Sequence, residues 1–288
     1  MDELVVVNTT ADDMVPRAED VVVEVEEASP LEGKLADSLF MDSFDVLQAI
    51  SASTYTATHL VRFRHVSKER RKVLTIKSIS KMGVQLANEY TLINAEIINH
   101  LRVQAHPFVQ GFYCSFMDRT GVHLVNEFCP GGDLGALIEE AAERGHGMGE
   151  ASTKHLAAEI ALAIEDVHNQ GIIFRNMSPE SVLIEGDGHA RLTGFSLSKR
   201  SSNSDRTLTQ CGVEDYLAPE IHQNQGYGEY VDWWAFGVTL FEMVTGFRPF
   251  IAHEGQGDLL AEVIIRNQPH WPPGVNMQAL RTTQRGLG

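Results

Sequence analysis

The chain has 288 residues, 43% of them hydrophobic, which is enough to bury a sizeable core and to divide it between two lobes. Its formal net charge of −16 argues against nucleic acid as the main partner, because phosphate binding needs a surplus of Lys and Arg. Its three cysteines, Cys114, Cys129 and Cys211, are far apart and odd in number, which suits free thiols in a reducing compartment better than a disulfide framework.

The opening MDELVVVNTT is acidic and lacks a long apolar stretch, so no secretory leader is expected. No apolar run approaches the ~18 residues that a membrane helix needs, so no membrane partner is expected and the location implied is cytoplasmic or nuclear. The twelve histidines show no HExxH or other ligand spacing, and no metal is expected. Residues 1–40 hold eleven acids against only Arg17 and Lys34. The Val runs among them are short and isolated, so residues 1–43 read as an acidic, disordered tail. A basic run at Arg62, Arg64, Lys68, Arg70, Arg71 and Lys72 reads as a solvated strand and turn rather than a nucleic-acid patch.

From Phe44 the pattern turns to strands. LVRFRHV and KVLTIKSI alternate polar and apolar residues on either side of a basic turn, as paired antiparallel strands do. EYTLINAEIINHL places Ile93, Ile97 and Leu101 at helical spacing. FVQGFYCSF and VHLVNEF are the next strands, ending at the turn CPGGD. Beyond it the chain becomes helical. STKHLAAEIALAIEDVHNQG carries Ile160, Ile164 and Val167 on one face and Gly171 as its stop. VLIEGDGHARLT is a hairpin, and VDWWAFGVTLFEMVTG is apolar on nearly every side, as a helix buried within a lobe would be.

Taken together, residues 44 to about 271 resemble a eukaryotic protein kinase of the AGC group, which includes cAMP-dependent kinase. The stretch CGVEDYLAPEIHQNQGYGEYVDWWAFGVTLFEMVTGFRPF is similar to that group's C-G-T-x-x-Y-x-A-P-E segment and D-W-W-x-x-G helix. Asn176 and Ser181 keep the five-residue spacing of H-R-D-x-x-x-x-N. The resemblance implies an α+β, bilobal fold. A small antiparallel β lobe (44–127), a hinge (128–133) and a mainly helical large lobe (134–288) are expected. A kinase of this group continues through further helices after HWPPG, so the large lobe is expected to be incomplete; QRGLG echoes the family's R-L-G ending, which would imply an internal deletion.

The family roles transfer position by position. The glycine-rich loop falls on SASTYTAT, where its glycines are Ser51, Ser53 and Thr56, and three Cβ-bearing residues suit a phosphate cradle poorly. The nucleotide-anchoring Lys is Lys77, after Thr75 in place of the usual Ala; as an alternative it is an ordinary strand lysine. Its helix Glu is Glu96, with Asn94 and Ile97 competing for that place. Asn126 stands at the gatekeeper position, where a buried amide needs hydrogen-bond partners. Glu127 is the first hinge residue, and Asp133 stands where a ribose would be contacted.

In FRNMSPESVLI, Arg175 is kept, but the catalytic Asp is Asn176, the phosphoryl-steadying Lys is Ser178 and the magnesium-binding Asn is Ser181. In LTGFSLSK the D-F-G has become Gly194, Phe195 and Ser196. Glu220 and Asp232, which hold the fold, remain. Thr209 matches the activation-segment Thr that this group carries phosphorylated, with Arg175 and Lys199 where its cationic partners stand; the alternative is that Arg175 pairs with a local acid. The resemblance with these losses implies a pseudokinase that docks or regulates other proteins. No cofactor is expected, and the expected partner is a protein, with an active kinase as one candidate. The alternative is a serine/threonine kinase with weak or atypical ATP- and magnesium-dependent transfer, for which Asp187 is the spare carboxylate in reach.

Overall fold

The computed structural model describes residues 39–64, 72–82, 89–201, 206–252 and 259–272. Residues 1–38 of the acidic tail, half of the basic run (Lys68, Arg70 and Arg71) and residues 273–288 lie outside them. The end of the tail differs from the expectation of disorder: Leu39 is buried in an apolar cluster of the first unit and residues 41–43 form a 3-10 turn. Two units are distinguished, the first extending through Pro130 and the second beginning at Gly131.

The first unit is built on five antiparallel strands: β1 (Phe44–Ala52), β2 (Thr56–Phe63), β3 (Val73–Ser80), β4 (Phe112–Met117) and β5 (Gly121–Glu127). They lie in the order β1-β2-β3-β5-β4. Helix α1 (Glu89–Val103) is inserted between β3 and β4. Alternation along β3 separates two apolar clusters. Leu74 and Ile76 join Phe44, Val61, Phe116 and Val125 on one side. Ile79 meets Ile93 and Ile97 of α1, with Phe112, Val122 and Leu124, on the other. Leu101, the third member of the periodic set, packs against this second cluster. Because side chains alternate with a period of two, Lys77 lies on the same side as Ile79 and faces α1.

The second unit carries α2 (Leu134–Glu143), α3 (Glu150–Asn169), α4 (Pro219–His222), α5 (Tyr230–Thr245) and α6 (Leu260–Ile265). Short pairs β6 (Ile172–Ile173) with β9 (Lys199–Arg200), and β7 (Val182–Ile184) with β8 (Ala190–Leu192), lie between α3 and α4. Ile160, Ile164 and Val167 of α3 are buried, as their spacing predicts. Gly171 (φ 68) follows α3, and Gly246 (φ 76) caps α5 in the left-handed region that stops a helix. Helix α5 buries eleven of its sixteen residues. One cluster joins Val231 of α5 to Ile173, Leu217, Ala218, Ile221 and Tyr227.

The fold class is therefore α+β, with strands first and helices after, as the sequence implies. The cysteines are free. Among the described residues, no helix is long and apolar enough to cross a membrane.

Candidate functional site

In the first unit the ammonium of Lys77 meets Glu96 with both carboxylate oxygens, at 2.8 and 3.1 Å. The Glu96 side chain is 8% exposed and that of Lys77 28%. Of the three residues that compete for this place in the sequence, Ile97 is turned into the core and Glu96 reaches the lysine.

The β1–β2 connection is closed on itself. The Ser53 and Thr56 hydroxyls are 2.7 Å apart, the Ser53 N–H donates to the Thr56 carbonyl at 2.7 Å, and the Thr56 N–H donates to Ser53 Oγ at 3.2 Å. Two backbone donors that a phosphate could have used thus serve the turn itself.

At the end of β5, the Glu127 carboxylate pairs with Lys72 at 3.1 Å, while its carbonyl accepts from the Gln110 side-chain amide at 2.7 Å. Thr75 Oγ1 lies 3.4 Å from the carbonyls of both Asn126 and Glu127. Asn126 departs from expectation: its Oδ1 is buried and has no hydrogen-bond partner among the described residues. Such a group costs about 1–3 kcal/mol.

The second unit is organised around Asp232, which is 1% exposed. Its carboxylate accepts from the Phe174 N–H (2.8 Å), the Arg175 N–H (2.7 Å) and His168 Nε2 (2.8 Å). These bonds hold Arg175 at φ 63, a region that a β-carbon disfavours. The next residue, Asn176, donates from Nδ2 to the Gly194 carbonyl at 2.8 Å. Gly194 itself has φ 86, and a β-carbon built there would fall 2.8 Å from Asn176 Nδ2. Phe195 follows, fully buried and edge-on to Phe174.

Ser178 and Ser181 close a buried turn: the Ser181 hydroxyl donates to the Ser178 carbonyl (2.8 Å) and accepts its N–H (3.1 Å). Magnesium demands carboxylate or similarly strong oxygen donors in octahedral array. An amide directed at a carbonyl, a glycine and a buried hydroxyl already bonded twice do not supply it. These residues do not fit the metal.

Asp133 Oδ1 accepts the Ala136 N–H at 2.9 Å and so caps α2. Asp187 accepts the His189 N–H at 3.2 Å, as a turn residue does. Glu220, at the start of α4, is half-buried and has no cationic partner among the described residues.

Arg175 has no carboxylate partner among the described residues, contrary to the alternative of a local acid. Its guanidinium donates instead to the Leu197 carbonyl (2.7 Å) and to the Tyr227 hydroxyl (3.4 Å). That hydroxyl donates onward to the carbonyl of the exposed Thr209 at 2.5 Å. Lys199, on β9, is exposed. The sequence singled out Arg175, Lys199 and Thr209 but not Tyr227, which the fold brings between Arg175 and Thr209. Gln110 was missed as well, because nothing in its local pattern distinguishes a loop amide that reaches Glu127.

Comparison with known proteins gives these arrangements a family setting. The protein kinase domain family matches residues 60–278. A cAMP-dependent protein kinase catalytic subunit of Dictyostelium discoideum is 32% identical over 249 residues, covering 86% of this chain and 36% of that protein. The cAMP-dependent protein kinase catalytic subunit PRKX of Homo sapiens is 34% identical over 212 residues, 73% of this chain and 56% of that protein. The cAMP-dependent protein kinase type 3 of Saccharomyces cerevisiae is 30% identical over 217 residues, 73% and 50% respectively. The chain thus spans between about a third and just over half the length of these relatives.

Proposed function

The chain belongs to the protein kinase family, and from that membership we propose that it works without phosphoryl transfer, as a pseudokinase that docks or allosterically regulates a protein partner in phosphorylation signalling. The observation that carries this reading is the bond from Asn176 to Gly194. Two positions where the family places carboxylates hold an amide and a glycine, and the two are fastened to each other.

The chemistry makes such a change severe. Phosphoryl transfer depends on positioning and on neutralising charge on the transferring group. Loss of a general base alone costs on the order of 10²–10⁴ in rate. Loss of metal ligation removes a Lewis-acid contribution worth several kcal/mol. Meanwhile Asp232 keeps its three donors and Lys77 keeps Glu96, so the framework is retained while the reacting groups are absent. Selection for a scaffold accounts for that asymmetry better than random decay does.

In this reading the domain needs neither nucleotide nor metal for its role. Its partner is a protein, with an active kinase as one candidate, and the net charge of −16 favours that over nucleic acid. Three free cysteines suit a cytosolic or nuclear setting. A second reading, a serine/threonine kinase with weak or atypical transfer, is favoured by the intact Lys77–Glu96 pair and by kinship to cAMP-dependent kinases. Thermal melting of the full chain with ATP, with and without magnesium, separates the two. A ligand held only by the folded state raises the melting temperature. The pseudokinase reading expects no magnesium-dependent rise; a rise of several degrees that requires magnesium favours the enzyme.

A further inference from the structure

The sequence shows no metal-ligand spacing, yet the fold assembles one cluster that can hold a metal. His155 and Glu159 are four residues apart on α3 and so share a face. The turn between β7 and β8 brings His189 against them. Glu159 Oε1 is 3.3 Å from His155 Nε2 and 2.5 Å from His189 Nδ1. One ligand atom from each of the three lies within 4.8 Å of the others.

We propose that His155, Glu159 and His189 form a binding site for a divalent transition-metal ion of the zinc type, which fastens α3 to the β7–β8 hairpin. Four features carry this. First, the donor set of two imidazoles and one carboxylate suits zinc and its neighbours, not magnesium or calcium. Second, the carboxylate is aimed. Glu159 is buried (6% exposed), and its other oxygen accepts the Ala190 N–H at 2.8 Å, which leaves Oε1 turned to both rings. A hydrogen bond of that kind orients a ligand before the ion arrives.

Third, one separation already matches what an ion needs, and the others lie within reach of it. Metal–ligand bonds of about 2.0–2.1 Å in tetrahedral array set neighbouring ligand atoms roughly 3.3–3.4 Å apart. The pair from α3 already has that separation. His189 would withdraw by about 1 Å, and as a hairpin-turn residue with a 43% exposed side chain it has room to do so. Fourth, the His155 side chain is 51% exposed, so an ion can reach the cluster from solvent, and water can complete its coordination. The site shares no residue with the Asn176–Gly194 region, and the inference stands whether or not the chain transfers phosphate.

Cobalt(II) serves as the probe, because four-coordinate cobalt absorbs in the visible where the hydrated ion barely does. The full chain is titrated at about pH 8, because protons compete with the ion for imidazole nitrogens. Saturable binding with one ion per chain is expected, with loss of the band on adding zinc and a higher melting temperature with zinc but not magnesium. His155→Ala and His189→Ala change exposed side chains, and their melting without metal shows that they fold. Each should weaken binding by at least about tenfold. Absence of the band in the wild-type chain would overturn the proposal. So would equal affinity in both variants, which would place the ion elsewhere, or a hydrogen-bonded His–Glu–His cluster that zinc leaves unchanged in stability.

Discussion

The side-chain amide of Asn176 donates to the carbonyl of Gly194 across 2.8 Å, so the two altered positions are structurally one. Restoring a carboxylate at one of them therefore disturbs the other as well. In Asn176→Asp an acceptor replaces the donor and faces a carbonyl oxygen. That removes a bond and opposes like partial charges, a loss on the order of 1–3 kcal/mol. For a chain of this size the melting temperature should fall by about 2–4 °C per kcal/mol. Gly194→Asp meets a different obstacle, since φ 86 and the 2.8 Å approach of Asn176 both disfavour a β-carbon. Calorimetry of the two single variants and the double variant checks this. A variant Asn176→Asp that melts with the wild type would remove the bond from the argument.

Asp232 is the residue whose loss the second unit should tolerate least. Asp232→Ala leaves the N–H groups of Phe174 and Arg175 and the ring of His168 without their acceptor in a buried place. It also releases Arg175 from φ 63. We expect a loss on the order of 3–5 kcal/mol, read as a lower urea midpoint with an unchanged slope. A midpoint within error of the wild type would show that the three bonds contribute little.

How much of this was legible beforehand depended on whether the signal was local. The face of α1 was readable because Ile93 and Ile97 recur at a helical interval, and the β3 alternation put Lys77 opposite that helix. The course of α5 was readable because it is apolar throughout and ends at a glycine. The altered motif positions were readable because the spacing survived when the chemistry did not. By contrast, Asp133 and Asn176 are defined by what they touch. One caps α2, and the other reaches a carbonyl eighteen residues away. The His155–Glu159–His189 cluster escaped notice for the same reason, because His189 comes from a separate hairpin thirty residues along the chain.

Glu242 should make stability fall as pH rises. Burial pushes its carboxyl up to about 7 from an ordinary 4.5, while the Tyr216 hydroxyl (2.9 Å) and Arg248 pull the other way. The folded state therefore holds its proton where the unfolded chain has already lost it. Between pH 4.5 and about 7 the folded state binds more protons, so this group's contribution to stability declines across that window and is level above it. Glu242→Gln should flatten the slope and melt above the wild type at neutral pH and higher. Parallel pH profiles for both proteins would show that Glu242 titrates in its usual range.

Under the proposed reading, Thr209 would act as a switch that needs no catalysis. Its carbonyl is joined through the Tyr227 hydroxyl to Arg175, whose guanidinium meets only neutral oxygens among the described residues. A phosphate carries close to two negative charges and seeks such cations, and Arg175 and Lys199 are the candidates. Under that reading, phosphorylation of Thr209 by another kinase should hold residues 206–215 more tightly and set a docking surface. Limited proteolysis of unmodified and phosphorylated protein, and of phosphorylated Arg175→Ala, reads this directly. Protection is expected in the phosphorylated wild type alone, and equal cleavage in all three samples would leave the switch without support.

Transfer of the γ-phosphoryl group from ATP to a basic Ser/Thr peptide, in magnesium and with Lys77→Met beside the wild type, tests the non-catalytic reading most directly. With Asn176 fastened to Gly194 and the Ser181 hydroxyl held within its own turn, the two proteins should give the same background level of labelled peptide. Magnesium-dependent turnover by the wild type that Lys77→Met abolishes would contradict it.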